Sequence, residues 1–462
     1  MKKAEIRFTD KNSFRISPLL FGSFIEHIEN CIAGGIYDSG SPLSDWNGIR
    51  IDVLKKCAEL SPTCLRFPGG TVIGIYHWED HVGPIDKRKK KKNIVWGGML
   101  THEFGTCEYI EFCREIGAEP IICVNMATGT AEEAADWVEY CNGTGDTYFA
   151  NLRRSHGYEE PFNVKYWCIG NESYAVPDLG TQHDVNVYIR DAWEFTKYMK
   201  MTDPGISLIF VGYDDKWNRA VLDSLGDVCD FLSLHFYAGG EHPLDMTESF
   251  VNNTLKPAIE LIKEYNSSEL TLDRWYRIPP RKDNIKLAID EWNIWNPKAD
   301  SFSPYGLRQI YTWKDAIWTA DFLMTLIEHS EYIGIANLAQ LVNVIAPIMA
   351  EKAGSWKQCT FYPFELIRKN CGKSFIPSEC TSDEIRCIVT ETDSRHAAFI
   401  INLSKEIHEL GLPFNPDKQI ILYAKKAYSF NSMDTDCVIR EESSPQASKV
   451  IIKPYSINLL TY

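Results

Sequence analysis

The sequence predicts an α/β protein, a (β/α)8 barrel followed by an antiparallel β-sandwich. Three observations carry that prediction. Eight short apolar runs alternate with amphipathic stretches between residues 19 and 343. The runs are almost continuously apolar, as strands buried on both faces are. Past about residue 370 the rhythm gives way to short β-branched segments between turn residues.

The eight runs are 19–28 (LLFGSFIEHI), 62–70 (PTCLRFPGG), 119–127 (EPIICVNMA), 164–172 (VKYWCIGNE), 206–213 (ISLIFVGY), 229–237 (CDFLSLHFY), 285–293 (IKLAIDEWN) and 334–343 (GIANLAQLVN). Residues 106–117 read as a helix closed by Gly117, a good C-cap. Residues 130–141 open with Thr130 and Glu133 in a capping-box pattern. Residues 184–201 and 314–330 repeat the helical period. Strand-then-helix units of this number fit a closed barrel with insertions. A doubly wound open sheet is the alternative, but no GxGxxG follows the first strand. Segments 385–391, 396–403, 419–424 and 448–461 read as sandwich strands. The strand-like piece 3–9 should pair with them, because chain ends often meet. The expected units are 15–368 for the barrel, and 1–14 with 369–462 for the sandwich.

With 462 residues, 44% hydrophobic and 24% charged, the chain can bury a normal core. Its 48 Lys+Arg and 63 Asp+Glu give a net charge of −15. That argues against nucleic acid or an anionic membrane as the main partner. The 13 Trp, 22 Tyr and 22 Phe suit either a large aromatic core or a site that stacks on sugars. The 14 cysteines include no CxxC pair and read as buried free thiols, Cys123 and Cys168 among them. The opening MKKAEIRFTDKNSF has no apolar stretch, so no signal peptide or membrane anchor is expected. A reducing cytoplasm is the simplest compartment. The basic run Lys87, Arg88, Lys89, Lys90, Lys91, Lys92 is expected to be a solvated loop that could also meet acidic groups of a neighbouring subunit.

Several predicted strands end in polar residues: Glu26-His27, Arg66, Asn171-Glu172, His235 to Tyr237, Asp290 to Asn293, and Asn337, Gln340 and Asn343. In a barrel those ends converge on one mouth. Glu172 and Glu291 stand out, on runs four and seven. Glycoside hydrolysis needs two carboxyl groups flanking the anomeric carbon, one protonated and one ionised. Two like charges in proximity also drive their proton affinities apart. The competing reading is that each glutamate only closes a structural salt bridge, for example to Arg66. No metal is expected: His27, His77, His81 and His102 include one HxxxH pair, His77 and His81, but a His beside a strand is more often a hydrogen-bonding orienter than a ligand. No GxSxG elbow is present for a serine nucleophile.

These residues also resemble the family 51 glycoside hydrolases, the intracellular α-L-arabinofuranosidases. The similar pieces are FGSFIEHIENCIAGGIYD, LRFPGG, VNMATGT, DWVEYCN, YWCIGNE, LSLHFY, IDEWNIW, NLAQLVNVIAPIM and WKQCTFYPF, in family order along nearly the whole chain. The resemblance implies a barrel with a jelly-roll sandwich, a hexameric assembly and no cofactor. It implies an acid/base at Glu172 and a nucleophile at Glu291, hence exo-acting, retaining release of terminal α-L-arabinofuranosyl residues from oligosaccharides. Glu26, Asn171 and Gln358 would bond the furanose hydroxyls. Tyr237 would position the nucleophile, Arg66 and His235 would support the carboxylates, and Trp96 and Trp295 would form apolar walls.

Two places depart from the family pattern. Thr71 stands where the family usually has Asn after Pro-Gly-Gly, and a hydroxyl cannot offer two donors. The loop after Glu172 runs Ser173-Tyr174-Ala175-Val176-Pro177 rather than Met-Asp-Gly-Pro-Trp. A shorter residue 71 could admit the exocyclic carbon of β-D-galactofuranose. The same scaffold could also serve cleavage of β-linked glucan or xylan, or non-catalytic sugar binding.

Overall fold

The computed structural model describes residues 1–175, 183–240, 242–272, 278–296, 307–392, 395–445 and 448–462. All eight predicted runs form strands: β1 (Leu19–Phe24), β2 (Cys64–Phe67), β3 (Glu119–Val124), β4 (Tyr166–Ile169), β5 (Ser207–Val211), β6 (Phe231–Ala238), β7 (Lys286–Ile294) and β8 (Ile333–Ala339). They close into a parallel barrel in chain order, with β8 paired to β1. Every residue of β2 and β8 is buried, which is why these runs carry no polar alternation.

The predicted helices form at Thr106–Ile116, Ala131–Asn142, Val185–Thr202 and Trp313–Glu328. Gly117 closes the first in the left-handed region, at φ 72°. Thr130 caps the second by accepting from the Glu133 backbone N–H at 3.0 Å. The Glu133 carboxylate turns instead to His77 Nδ1, at 3.0 Å, so the expected capping box is only half made.

The C-terminal part is a two-sheet sandwich. Its seven-stranded sheet runs Phe14–Arg15, Ser374–Ile376, Ile385–Thr392, Arg395–Asn402, Ile457–Thr461, Lys418–Tyr423, Ile439–Ser443. The four-stranded sheet holds Ser378–Cys380, Lys2–Phe8, His408–Gly411 and Lys449–Ile452. The N-terminal strand therefore does join the sandwich, parallel to His408–Gly411 and antiparallel to Ser378–Cys380. Strand alternation divides the apolar residues between two cores. Val389, Ile400 and Leu460 pack inside the sandwich, while Ile388, Phe399 and Leu459 join the barrel core. Each such side chain contributes about 1.5–3 kcal/mol when fully buried. Arg386 adds a link to the helix Trp313–Glu328, 3.2 Å from Asp321 and 2.6 Å from Glu328.

Two expectations need correction. Residues 448–461 are two strands in different sheets, because the chain crosses between sheets at Lys453–Ser456. The basic run is not all solvated. Arg88 is withdrawn from water, its Nη2 2.7 Å from Glu108 Oε1, and it also donates to the Gly83 and His102 carbonyls. The five lysines around it are exposed, and Lys91 pairs with Asp80. Among the described residues, no helix is long and apolar enough to cross a membrane.

Beside β1 and β2 three imidazoles pack together. The His81 ring lies 4.0 Å from His102 and 5.3 Å from His27, with Tyr76 stacked at 4.0 Å. Burial lowers all three proton affinities, that of His27 to about 3 from an ordinary 6.5. The unfolded chain thus takes up protons first. The stability linked to these rings is full above about pH 6.5 and is lost as pH falls toward 3. His27→Leu should reduce the drop in Tm between pH 7 and pH 5; an unchanged drop contradicts this account.

Candidate active site

The C-terminal ends of the barrel strands deliver the predicted polar residues to one mouth, as the fold requires. Arg66, on β2, is its centre and is 1% exposed. Its Nη1 donates to Glu291 Oε1 at 2.7 Å and its Nη2 to Asn171 Oδ1 at 2.6 Å. Its Nε lies 3.2 Å from Asp290 Oδ2. Successive residues of a regular strand point to opposite faces. Asp290 and Glu291 both reach one guanidinium because the pairing of β7 with β8 slips between Ile289 and Trp292. Such irregularities re-aim side chains next to active sites. A matching slip in β6, between Ser233 and His235, sets His235 opposite Glu291.

Glu291 is buried and held at both oxygens, since the Tyr237 hydroxyl donates to Oε2 at 2.7 Å. Burial and the Glu291 charge push the Tyr237 phenol well above its ordinary range, so it stays a donor. Asp290 accepts from the Ser233 hydroxyl and lies 3.5 Å from His235 Nε2. Burial would raise its proton affinity, but Arg66, His235 and Ser233 hold it below the usual value.

Glu172 stands on the far side of the mouth with φ 40°, a left-handed conformation costly for a residue with a Cβ. One of its carboxylate oxygens lies within 4.8 Å of one from Glu291. His235 Nδ1 is 2.7 Å from Glu172 Oε1, and the Tyr174 hydroxyl donates to the same oxygen at 3.2 Å. Burial opposes charge on His235, yet Glu291, Asp290 and Glu172 hold its proton affinity well above normal. Burial raises the Glu172 carboxyl, but the His235 cation and the Tyr174 hydroxyl outweigh it and bring the carboxyl down. Both shifts place the proton of this pair on His235, so the free site holds Glu172 as a carboxylate with its proton within reach on the imidazole.

The wall along β1, β2 and β8 is built on Glu26. It accepts from Trp96 Nε1 at 2.8 Å, the Val72 N–H at 3.1 Å and Gln340 Nε2 at 3.0 Å. Burial pushes its carboxyl up to about 7 despite these donors. The Pro-Gly-Gly turn lets the backbone pass beneath it. A Cβ on Gly69 would meet Glu26 Cγ at 2.5 Å, and one on Gly70 would stand 3.3 Å from Glu291 Oε1. Gly70 is thus the floor between Glu26, Asn171 and Glu291.

The remaining predicted residues are placed as follows. Thr71 starts the short helical turn Thr71–Ile75, one residue past that floor. Trp295 is half-buried and meets Tyr237 edge-on, with centroids 5.9 Å apart. Gln358 commits both amide hydrogens to the Gln309 and Ala346 carbonyls and accepts from the Tyr311 N–H at 2.7 Å. The sugar contact expected of it is left to one lone pair of Oε1. Asn337 on β8 donates to the Ser23 carbonyl of β1, and Asn343 ties its loop to the Asn30 carbonyl. Of the loop that departs from the family pattern, Ser173–Ala175 is described and 176–180 lies outside the described residues. Sequence reasoning gave no role to Ser233 or Tyr174; strand-end polarity singled out Gln340 but not its bond to Glu26.

Among the described residues, Glu172, His235 and Glu291 are the group whose ligand atoms come close enough for a metal ion. The Arg66 guanidinium, 2.7 Å from Glu291, opposes a cation there, and His235 Nδ1 is turned to Glu172. The arrangement fits acid–nucleophile chemistry at an acetal carbon better.

Residues 56–254 match the α-L-arabinofuranosidase 1 domain, and residues 290–456 the α-L-arabinofuranosidase C-terminal domain. The chain is 40% identical over 370 residues to the probable α-L-arabinofuranosidase C of Aspergillus flavus, which covers 77% of this chain and 72% of that one. It is 38% identical over 372 residues to the intracellular exo-α-(1→5)-L-arabinofuranosidase of Halalkalibacterium halodurans, covering 76% and 73%. The solved family 51 α-L-arabinofuranosidase of Thermotoga petrophila is 34% identical and superimposes over 100% of both chains with a TM-score of 0.89.

Removing Arg66 would strand two buried carboxylates. Arg66→Ala should cost roughly 3–5 kcal/mol in urea unfolding at pH 7. A loss below about 1 kcal/mol, as for an exposed ion pair, would contradict its central place.

Proposed function

The chain belongs to the family 51 α-L-arabinofuranosidases, and from that premise we propose that it removes terminal α-L-arabinofuranosyl residues from oligosaccharides by a retaining, two-glutamate mechanism. The observation that carries this reading is the approach of the Glu172 and Glu291 carboxylates to within 4.8 Å. Retaining enzymes hold their two carboxyl groups about 5–5.5 Å apart, whereas inverting enzymes need room for a water, about 6.5–9.5 Å.

The residues divide the work by environment. Arg66 and Tyr237 aim an ionised Glu291 at the anomeric carbon. Glu172 takes the proton held on His235 Nδ1 and passes it to the glycosidic oxygen as the bond to the leaving group breaks. Glu291 and the sugar then form an ester. Glu172, now a base, takes a proton from water, and the hydroxyl displaces Glu291 from the same face that the leaving group left. Glu26 and Asn171 meet the furanose hydroxyls, Gly70 and Thr71 floor the pocket, and Trp96 and Trp295 wall it. Gln358 contributes mainly by bracing the strand-eight loop against residues 309–311.

The same proposal puts the protein in the cytoplasm, as a homo-oligomer and, by family resemblance, a hexamer. The intracellular relative supports the compartment. It also takes 15–368 as the catalytic unit and 1–14 with 369–462 as the sandwich unit; pairing of Phe14–Arg15 with the strand Ser374–Ile376 supports assigning the N-terminus to the sandwich.

Glu291→Ala should abolish turnover without changing the unfolding midpoint by more than a few degrees. Glu172→Ala should slow substrates with unactivated sugar leaving groups by roughly 10²–10⁴-fold and nitrophenyl substrates much less. Equal losses on both would remove the acid role. Nitrophenyl α-L-arabinofuranoside should be cleaved in strong preference to nitrophenyl β-D-galactofuranoside; the reverse order would reassign the sugar.

A further inference from the structure

We propose that a cavity on the Glu172 side of the mouth seats the leaving group, and that the stacked rings of Tyr174 and Tyr213 make it a platform for a six-membered sugar ring. The inference rests on the arabinofuranosidase reading and goes beyond it by naming the aglycone.

The cavity measures about 690 Å³ and lies over the ends of β5 and β6, against the helix that follows β6. That volume is in the range of sites that enclose small organic ligands. Tyr174 and His235 line it, and these are the two residues that bond Glu172 Oε1. The wall of Glu26, Trp96 and Gly70 lies on other strands, β1 and β2 with the loops that follow them. A leaving oxygen protonated by Glu172, with its sugar held against Glu26, carries its own substituent toward the cavity. The catalytic order of the two carboxylates therefore fixes which side is which.

The platform joins the segments that follow β4 and β5. Tyr174 and Tyr213 stack with centroids 4.0 Å apart and planes 14° apart. Trp217 packs edge-on against Tyr174, and the Tyr213 N–H is tied to Asn218 Oδ1 at 2.7 Å, so the pair is held in place. Tyr213 is 51% exposed. A chair-form pyranose offers such a face a flat patch of axial C–H groups, whereas a puckered five-membered ring offers less. Around it Asp215, Lys216, Ser249 and Asn253 supply partners for equatorial hydroxyls. Asn253 belongs to a single π-helical turn, Val251–Leu255, a distortion frequent at functional sites.

The test compares three substrates: an α-L-arabinofuranosyl unit on xylobiose, the same unit on a second arabinofuranose, and methyl α-L-arabinofuranoside, whose leaving group has no ring. Tyr213→Ala should lower kcat/KM on the xylobiose substrate roughly two- to tenfold, the range of one aromatic contact. It should leave the methyl glycoside within a factor of two, and Tyr213→Phe should restore the loss. An equal change on all three substrates, or none, overturns the platform. An equal loss on the two ring-bearing substrates overturns the preference for a six-membered ring. A wild-type protein that cleaves none of the three contradicts the arabinofuranosidase reading itself, and so is told apart from failure of this inference.

Discussion

One buried guanidinium organises the mouth of this barrel. Arg66 rises from β2 and meets Glu291 and Asp290 from β7 and Asn171 from the end of β4. Three carboxylates, the buried Asp290 and Glu291 and the partly exposed Glu172, crowd one small space. Without compensation their repulsion would force protons onto them or push the strands apart. Arg66 and the His235 cation leave a net charge of about −1 among these five groups, and that residue of negative charge is what a nucleophile needs. The aromatic ring of Phe24 lies 4.9 Å beneath the guanidinium and closes it from below.

The fold supplies strain as well as charge. Glu172 sits in the left-handed region, a conformation that costs of order 1–3 kcal/mol and persists only where packing and bonding over-determine it. Here His235 and Tyr174 fix its tip. Slipped pairings in β6 and β7 turn residues that a regular strand would hide. The sandwich contributes rigidity from outside: the seven-stranded sheet lends one of its faces to the barrel core.

Much of this was legible in the sequence. The eight strands were readable because a parallel barrel buries both faces of each, leaving long apolar runs with polar ends. The N-terminal strand was readable from its pattern, and its pairing with the sandwich from the tendency of chain ends to meet. Glu172 and Glu291 were visible as strand-end carboxylates, and the salt bridge of Glu291 to Arg66 that the competing reading expected is present. What stayed hidden depends on geometry between distant segments. Asp290 could not be told from a structural acid, because its turn toward Arg66 follows from a slip in strand pairing. Arg88 looked like one more solvated charge, since its burial depends on Glu108 and three loop carbonyls. Gln358 was placed by motif, yet its amide is largely taken up by three backbone groups from two other segments. Tyr213 gave no signal, because its partner is 39 residues earlier in the chain.

The account stands on two carboxylates close enough for direct attack by one of them. The most direct measurement is proton NMR of the arabinose first released from an α-L-arabinofuranoside, before it mutarotates. Attack by Glu291 followed by water from the same side predicts the α-anomer as the initial product. Initial appearance of the β-anomer would mean that water, not Glu291, reaches the anomeric carbon, and would contradict the account.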